Sequence, residues 1–159
     1  MVLAVLHMGD PADISATIVE ELYCEALVLA DDVRAAFDLS TPRDIGDDDM
    51  VRLALSTEGL KTTTRVMHVL AWLLNQRAFY RGEMTAYQLE KHGQLPPDRA
   101  SDPRQLDLLE IPTQLLILET QIMHARVARL EKARRDGPKR RPEGLNEMQA
   151  RLESALRRL

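Results

Sequence analysis

The chain predicts an all-α fold, an antiparallel up-down-up three-helix bundle, on three observations. No run of β-branched residues alternates between hairpin turns, so strand signals are absent. Ala, Leu, Glu and Arg dominate while aromatic residues make up only 4%, a composition that favours helix. Apolar residues recur at steps of three and four over long stretches, and prolines and glycines collect at a few breaks between them.

Each element follows in order. Residues 1–12 read as a flexible N-terminus: MVLAVL is apolar, but it lacks a basic flank and ends at Asp10–Pro11, too short for a signal peptide or a membrane span. The first helix is expected over about 13–38, with Asp13 as N-cap and Ile14, Ile18, Leu22, Ala26, Leu29, Val33, Ala36 and Phe37 on one face. The loop LSTPRDIGDDD follows, and its aspartates suit the positive end of the next helix.

The second helix is expected over about 49–81, stopping at Gly82. Met50, Leu53, Thr57, Leu60, Thr64, Met67, Ala71, Leu74 and Ala78 form a stripe, the pattern of a helix packed lengthwise in a bundle. Val66, Val69, Leu70, Leu73 and Tyr80 widen the apolar arc, so this helix can bury two seams, one of them in a subunit interface. The remaining arc carries Lys61, Arg65, His68, Trp72, Asn75, Gln76 and Phe79. Two readings of it stand: Trp72 and Phe79 tuck into the edge of the core, or Arg65, His68, Trp72, Gln76 and Phe79 make a partner or dimer surface, since Trp and Arg are enriched at binding hot spots.

Residues 83–92 are expected to add one or two turns before Gly93, and QLPPDRASDPRQ reads as a connector. The third helix is expected over about 104–136, ending at Asp136–Gly137–Pro138, with Pro112 either opening it or kinking it. Leu108, Ile111, Leu115, Leu118, Ile122 and Ala125 make one line along it; Leu109, Leu116, Met123, Val127 and Leu130 make another. The bundle domain is thus placed at 13–136, and 137–159 is a basic linker followed by an amphipathic tail, either a short helix or disordered. In the tail, Lys139, Arg140, Arg141, Leu152 and Leu156 are the candidate partner contacts.

The net charge of −4 hides an asymmetry: residues 1–60 carry −10, residues 61–123 are neutral and residues 124–159 carry +6. An acidic first helix beside a basic last one accounts for this within the molecule, and a basic tail seeking an acidic partner is the functional alternative. The one cysteine, Cys24, permits no intramolecular disulfide or cysteine metal cluster and fits a reducing cytoplasm; it reads as a buried small hydrophobe. His7, His68, His92 and His124 have no ligand-like spacing, so no metal is expected. Seven scattered glycines and no strand leave no place for a phosphate loop or dinucleotide fingerprint, and no cofactor is expected. An all-helical enzyme built on buried arginines would have to use Arg65 and Arg77. Nucleic-acid binding would rest on KRR at 139–141 and RR at 157–158, without a basic recognition helix. A non-enzymatic protein is the expectation.

Residues 62–85, TTTRVMHVLAWLLNQRAFYRGEMT, resemble the core signature of the RcdA family, the alphaproteobacterial regulators of CtrA degradation. The matching features are Thr63–Thr64–Arg65, Met67, the Ala71–Leu74 block, Gln76–Arg77–Ala78 and Gly82–Glu83, with weaker similarity over 23–37 and 109–131 and a departure at His68. The resemblance implies a homodimeric adaptor that helps deliver a response regulator or other substrates, with accessory adaptors, to the ClpXP protease during the cell cycle. Many members of that family are of unknown function.

Overall fold

The computed structural model describes residues 11–38, 40, 48–136, 151 and 155. The described residues form five helices and no strand: α1 (Pro11–Ala36), α2 (Asp49–Tyr80), α3 (Ala86–His92), α4 (Pro103–Leu106) and α5 (Ile111–Asp136). The fold is therefore all-α. The chain divides into two compact units, residues 1–127 and 128–159. The described part of the second is mainly the end of α5, where Arg135 pairs with Glu131 one turn earlier.

Local chemistry sets the helix ends. Asp48 caps α2 by accepting from the Met50 N–H, and Asp49 adds a carboxylate in the first turn. At the other end Gly82 takes φ +74, and the N–H groups of Gly82 and Glu83 reach back to the carbonyls of Phe79 and Ala78. This is a Schellman ending, which a Cβ at position 82 would strain. Thr85 and Gln88 form a reciprocal capping box that starts α3, and Asp102 caps α4 ahead of Pro103. Pro112 sits in the first turn of α5, where its missing N–H costs nothing. At the start of the chain, α1 begins at Pro11, so Asp13 lies inside the first turn and is not the N-cap.

The first unit does not alternate up, down, up. Glu20 pairs with Arg77, and the Phe37 ring lies against Gly59, so α1 and α2 are antiparallel neighbours. Beyond α3 the chain does not enter a third long helix. Residues 93–102 run without helix back along α2, with Asp98 at Arg65 and Asp102 at Glu58. This returning strap delivers the chain to the start of α2. There Leu109 and Ile117 join Ala54 and Leu55 in a core cluster against Phe37, Val51 and Leu106. From that point α5 runs opposite to the strap: Gln121 meets Ser101, and His124 meets the Pro96 carbonyl. It therefore lies parallel to α2. The up-down-up expectation does not describe this course, because ten connector residues, at about 3.3 Å each, are long enough to return along much of α2 and reverse the chain's sense.

The seams that face the core are the expected ones only in part. On α2 the interior holds Ala54, Leu55, Glu58, Gly59, Thr62, Arg65, Val66, Val69, Trp72, Leu73 and Gln76. The predicted stripe faces solvent instead, with Leu60 67% and Met67 63% exposed beside exposed Met50, Leu53 and Leu74. Of the two lines expected on the third helix, Leu108 before α5 with Ile111, Leu115, Leu118 and Ile122 is exposed, whereas Leu109, Met123 and Val127 of the other face inward, joined by Ile117, Thr113, Thr120 and His124. On α1 the expected face is largely kept through Leu22, Ala26, Leu29 and Val33, but Ile18 is exposed and Val19 takes the interior place. Cys24, expected to be buried, is exposed.

Candidate functional site

The most constrained chemistry lies where α2, the strap and α5 meet. The apolar neighbours Val66 and Val69 drive this turn of α2 inward, and Arg65 goes with them until it is only 2% exposed. A guanidinium so placed must find partners for its donors. Its Nε donates to Asp98 at 2.7 Å, Nη1 to the Thr120 hydroxyl at 2.9 Å and Nη2 to the Arg99 carbonyl at 3.1 Å. The Thr120 hydroxyl in turn donates a hydrogen bond to the Ile117 carbonyl.

Two turns earlier Glu58 performs the converse role. Its fully buried carboxylate accepts from Lys61 and from the Asp102 N–H, and Ser101 bonds to it. Burial pushes the Glu58 carboxyl up. The hydrogen bonds from Ser101, Lys61 and the Asp102 backbone, with the Lys61 charge, outweigh burial and hold it below the ordinary carboxylate value. The strap is thus clasped by two opposite charges on one helix face, with Gln121–Ser101 and His124–Pro96 adding clips from α5.

This arrangement corrects the surface reading of helix two. Arg65, Trp72 and Gln76 are all interior to the chain's own fold, packed inside it and not exposed on its surface. Trp72 follows the core reading. His68 and Phe79 are half-buried at the margin, the Phe79 ring meeting Tyr80 edge-on at 5.5 Å. Arg77 stands apart from Arg65. It bonds to Glu20 at 2.7 Å and stacks over the Tyr23 ring at 4.1 Å, and the Glu20 hydrogen bond raises its pKa further. The two arginines are therefore not brought together. Among the described residues no group of three or more His, Cys, Asp or Glu side chains could hold a metal ion. The tail candidates Lys139, Arg140, Arg141, Leu152 and Leu156 lie outside the described residues.

Sequence reasoning missed Asp98, Thr120, Glu58 and Asp102. A signal for them exists: Arg65 lies one helical turn from Val69 and Thr62, on a face that otherwise buries, and such a cation demands a carboxylate from somewhere else in the chain. It found the stripes of α2 and α5 but not that they face outward. Leu53, Leu60, Met67 and Leu74 on α2, and Ile111, Leu115, Leu118 and Ile122 on α5, keep a heptad-like spacing while facing solvent. Isolated exposed apolar residues are ordinary, but apolar stripes sustained for about three turns on α5 and about six on α2 have the character of a contact surface.

No helix among the described residues is long and apolar enough to cross a membrane. No curated protein and no solved structure matched the chain. One family model, described as protein of unknown function (DUF1465), matches residues 11–156, nearly the whole chain, and the protein belongs to that family.

Proposed function

We propose that this protein is a non-enzymatic, cytoplasmic protein–protein adaptor of the kind that the regulators of CtrA degradation exemplify. It brings a response regulator or another substrate, with accessory adaptors, to the ClpXP protease in cell-cycle control. The observation that carries the reading is the inversion of the helices. The protein spends polar residues on its inner seams and keeps its most regular apolar stripes outside. A molecule whose task is contact needs such stripes, and it needs a rigid body that raises the effective concentration of one partner near another. The clasped strap supplies rigidity. The resemblance over residues 62–85 supplies the identity of the partners.

The same reading makes the protein a homodimer, and the stripe through Leu60, Met67 and Leu74 is its seam. These residues are spaced by seven and exposed, the pattern by which a helix meets a second copy of itself. The test is reconstituted degradation of a response regulator by ClpXP with and without the protein, together with sedimentation of Leu60→Lys/Met67→Lys. Faster degradation with the protein, and a monomeric double variant of unchanged helicity, are expected. An unchanged degradation rate would remove the adaptor reading, and a double variant of unchanged mass would remove the seam. Truncation at Pro138 is expected to reduce delivery and so report on the tail.

A further inference from the structure

The exposed line of α5 leads into a groove against α1 of about 410 Å3. Its floor is apolar, made by Val28 and Leu29 of α1 and Ile122 and Met123 of α5. Val28 is 66% and Ile122 52% exposed, so the floor lies open to solvent. Leu115 and Leu118 continue the apolar track along α5 toward its start, at the i, i+3, i+7 spacing that engages a helix laid alongside.

The charged residues that line this groove are net negative: Glu25, Asp32 and Glu119 against Arg126. Arg126, the one cation among the described residues that line it, is already taken by Glu25 at 2.8 Å. Asp32 and Glu119, on opposite walls, are exposed and make no ion pair among the described residues. Two carboxylates flanking an apolar floor suit an occupant with apolar side chains on one face and lysines or arginines beside them. An anion or an acidic segment would meet repulsion.

We infer that the α1–α5 groove docks a basic amphipathic helix of a partner protein, its apolar face on Val28 and Ile122 and its cations on Asp32 and Glu119. The inference rests on the adaptor reading only for what the docking achieves; the binding itself is measured without the protease. The probes are two labelled synthetic helices with the same leucine face, one with lysines and one with glutamates on its flanks, titrated into the full chain by fluorescence anisotropy.

The lysine helix is expected to bind and the glutamate helix not to. Asp32→Lys/Glu119→Lys is expected to weaken the lysine helix by about tenfold or more. Reversal of two exposed acids elsewhere, Glu83→Lys/Glu90→Lys, is expected to leave it bound. Circular dichroism checks that both variants keep their helices. Failure of the lysine helix to bind, equal binding of both helices, or equal loss in the two variants would overturn the proposal. Binding that converts dimers to monomers would assign the groove to a second copy and overturn it too. Absence of protease delivery with intact helix binding would instead remove only the adaptor reading.

Discussion

Two substitutions at the clasp, Arg65→Met and Asp98→Ala, separate the cost of losing a bond from the cost of stranding a charge. Arg65 has no exposed side-chain surface, whereas Asp98 keeps 28%. In Arg65→Met the Asp98 carboxylate turns to water, Thr120 keeps its bond to the Ile117 carbonyl, and the exposed Arg99 regains solvent for its carbonyl. What remains is the loss of charge-assisted hydrogen bonds, partly offset by an apolar chain of similar volume, about 1–2 kcal/mol. In Asp98→Ala the guanidinium stays inside without its counter-charge, which costs about 3–5 kcal/mol. The residue nearer the surface is thus expected to be the more damaging one to remove. Urea unfolding followed by helical circular dichroism gives both values from the midpoints and slopes. Equal losses, or a larger loss for Arg65→Met, would refute the assignment of Arg65 as a desolvated cation dependent on Asp98.

Three further outcomes follow from the same packing. Trp72→Ala, at a position 3% exposed, is expected to cost about 3–5 kcal/mol in urea unfolding, as large aromatic truncations in cores do; a near-neutral result would return Trp72 to the surface. Gly59→Ala improves helix propensity by about 1 kcal/mol. The added Cβ would nevertheless sit 2.8 Å from the Phe37 ring, so a net fall in melting temperature is expected, and a rise would mean that the ring moves freely. The folded-state pKa of Glu58 is lowered from 4.5, so its contribution is present above that value and is lost as pH falls through the folded pKa. Wild-type stability is expected to decline on acidification below about pH 4.5 more steeply than that of Glu58→Gln; parallel declines would deny Glu58 the role.

Punctuation was legible in the sequence. Gly82, Gly93, Pro112 and the aspartates before α2 carry their stop and start chemistry locally, and the helices end or begin there. Orientation was not. Periodicity reports that stripes exist and does not say which one is inside when two are available. On α2 the interior seam contains Glu58, Thr62, Arg65 and Gln76, and on α5 it contains Thr113, Thr120 and His124. A hydrophobicity pattern reads such seams as surface. Glu58, Arg65 and His124 are held inside by polar partners on the strap, and those partners come from a proline-rich stretch with no periodicity of its own. The direction of α5 was hidden for the same reason: QLPPDRASDPRQ reads as a connector, and nothing in its composition tells that it travels much of the length of a helix.

The parallel course of α2 and α5 has an electrical consequence. Both helices begin at the same end of the first unit, so their two positive poles coincide there, and each carries the equivalent of about half an elementary charge. Asp48 and Asp49 stand at the start of α2, Asp102 caps α4, and Asp107 and Glu110 precede α5. These carboxylates are counter-ions to coincident helix poles. Part of the chain's acidity is thereby accounted for inside the fold, and among the described residues Asp32 of α1 and Glu119 of α5 are exposed acids that stand away from those poles.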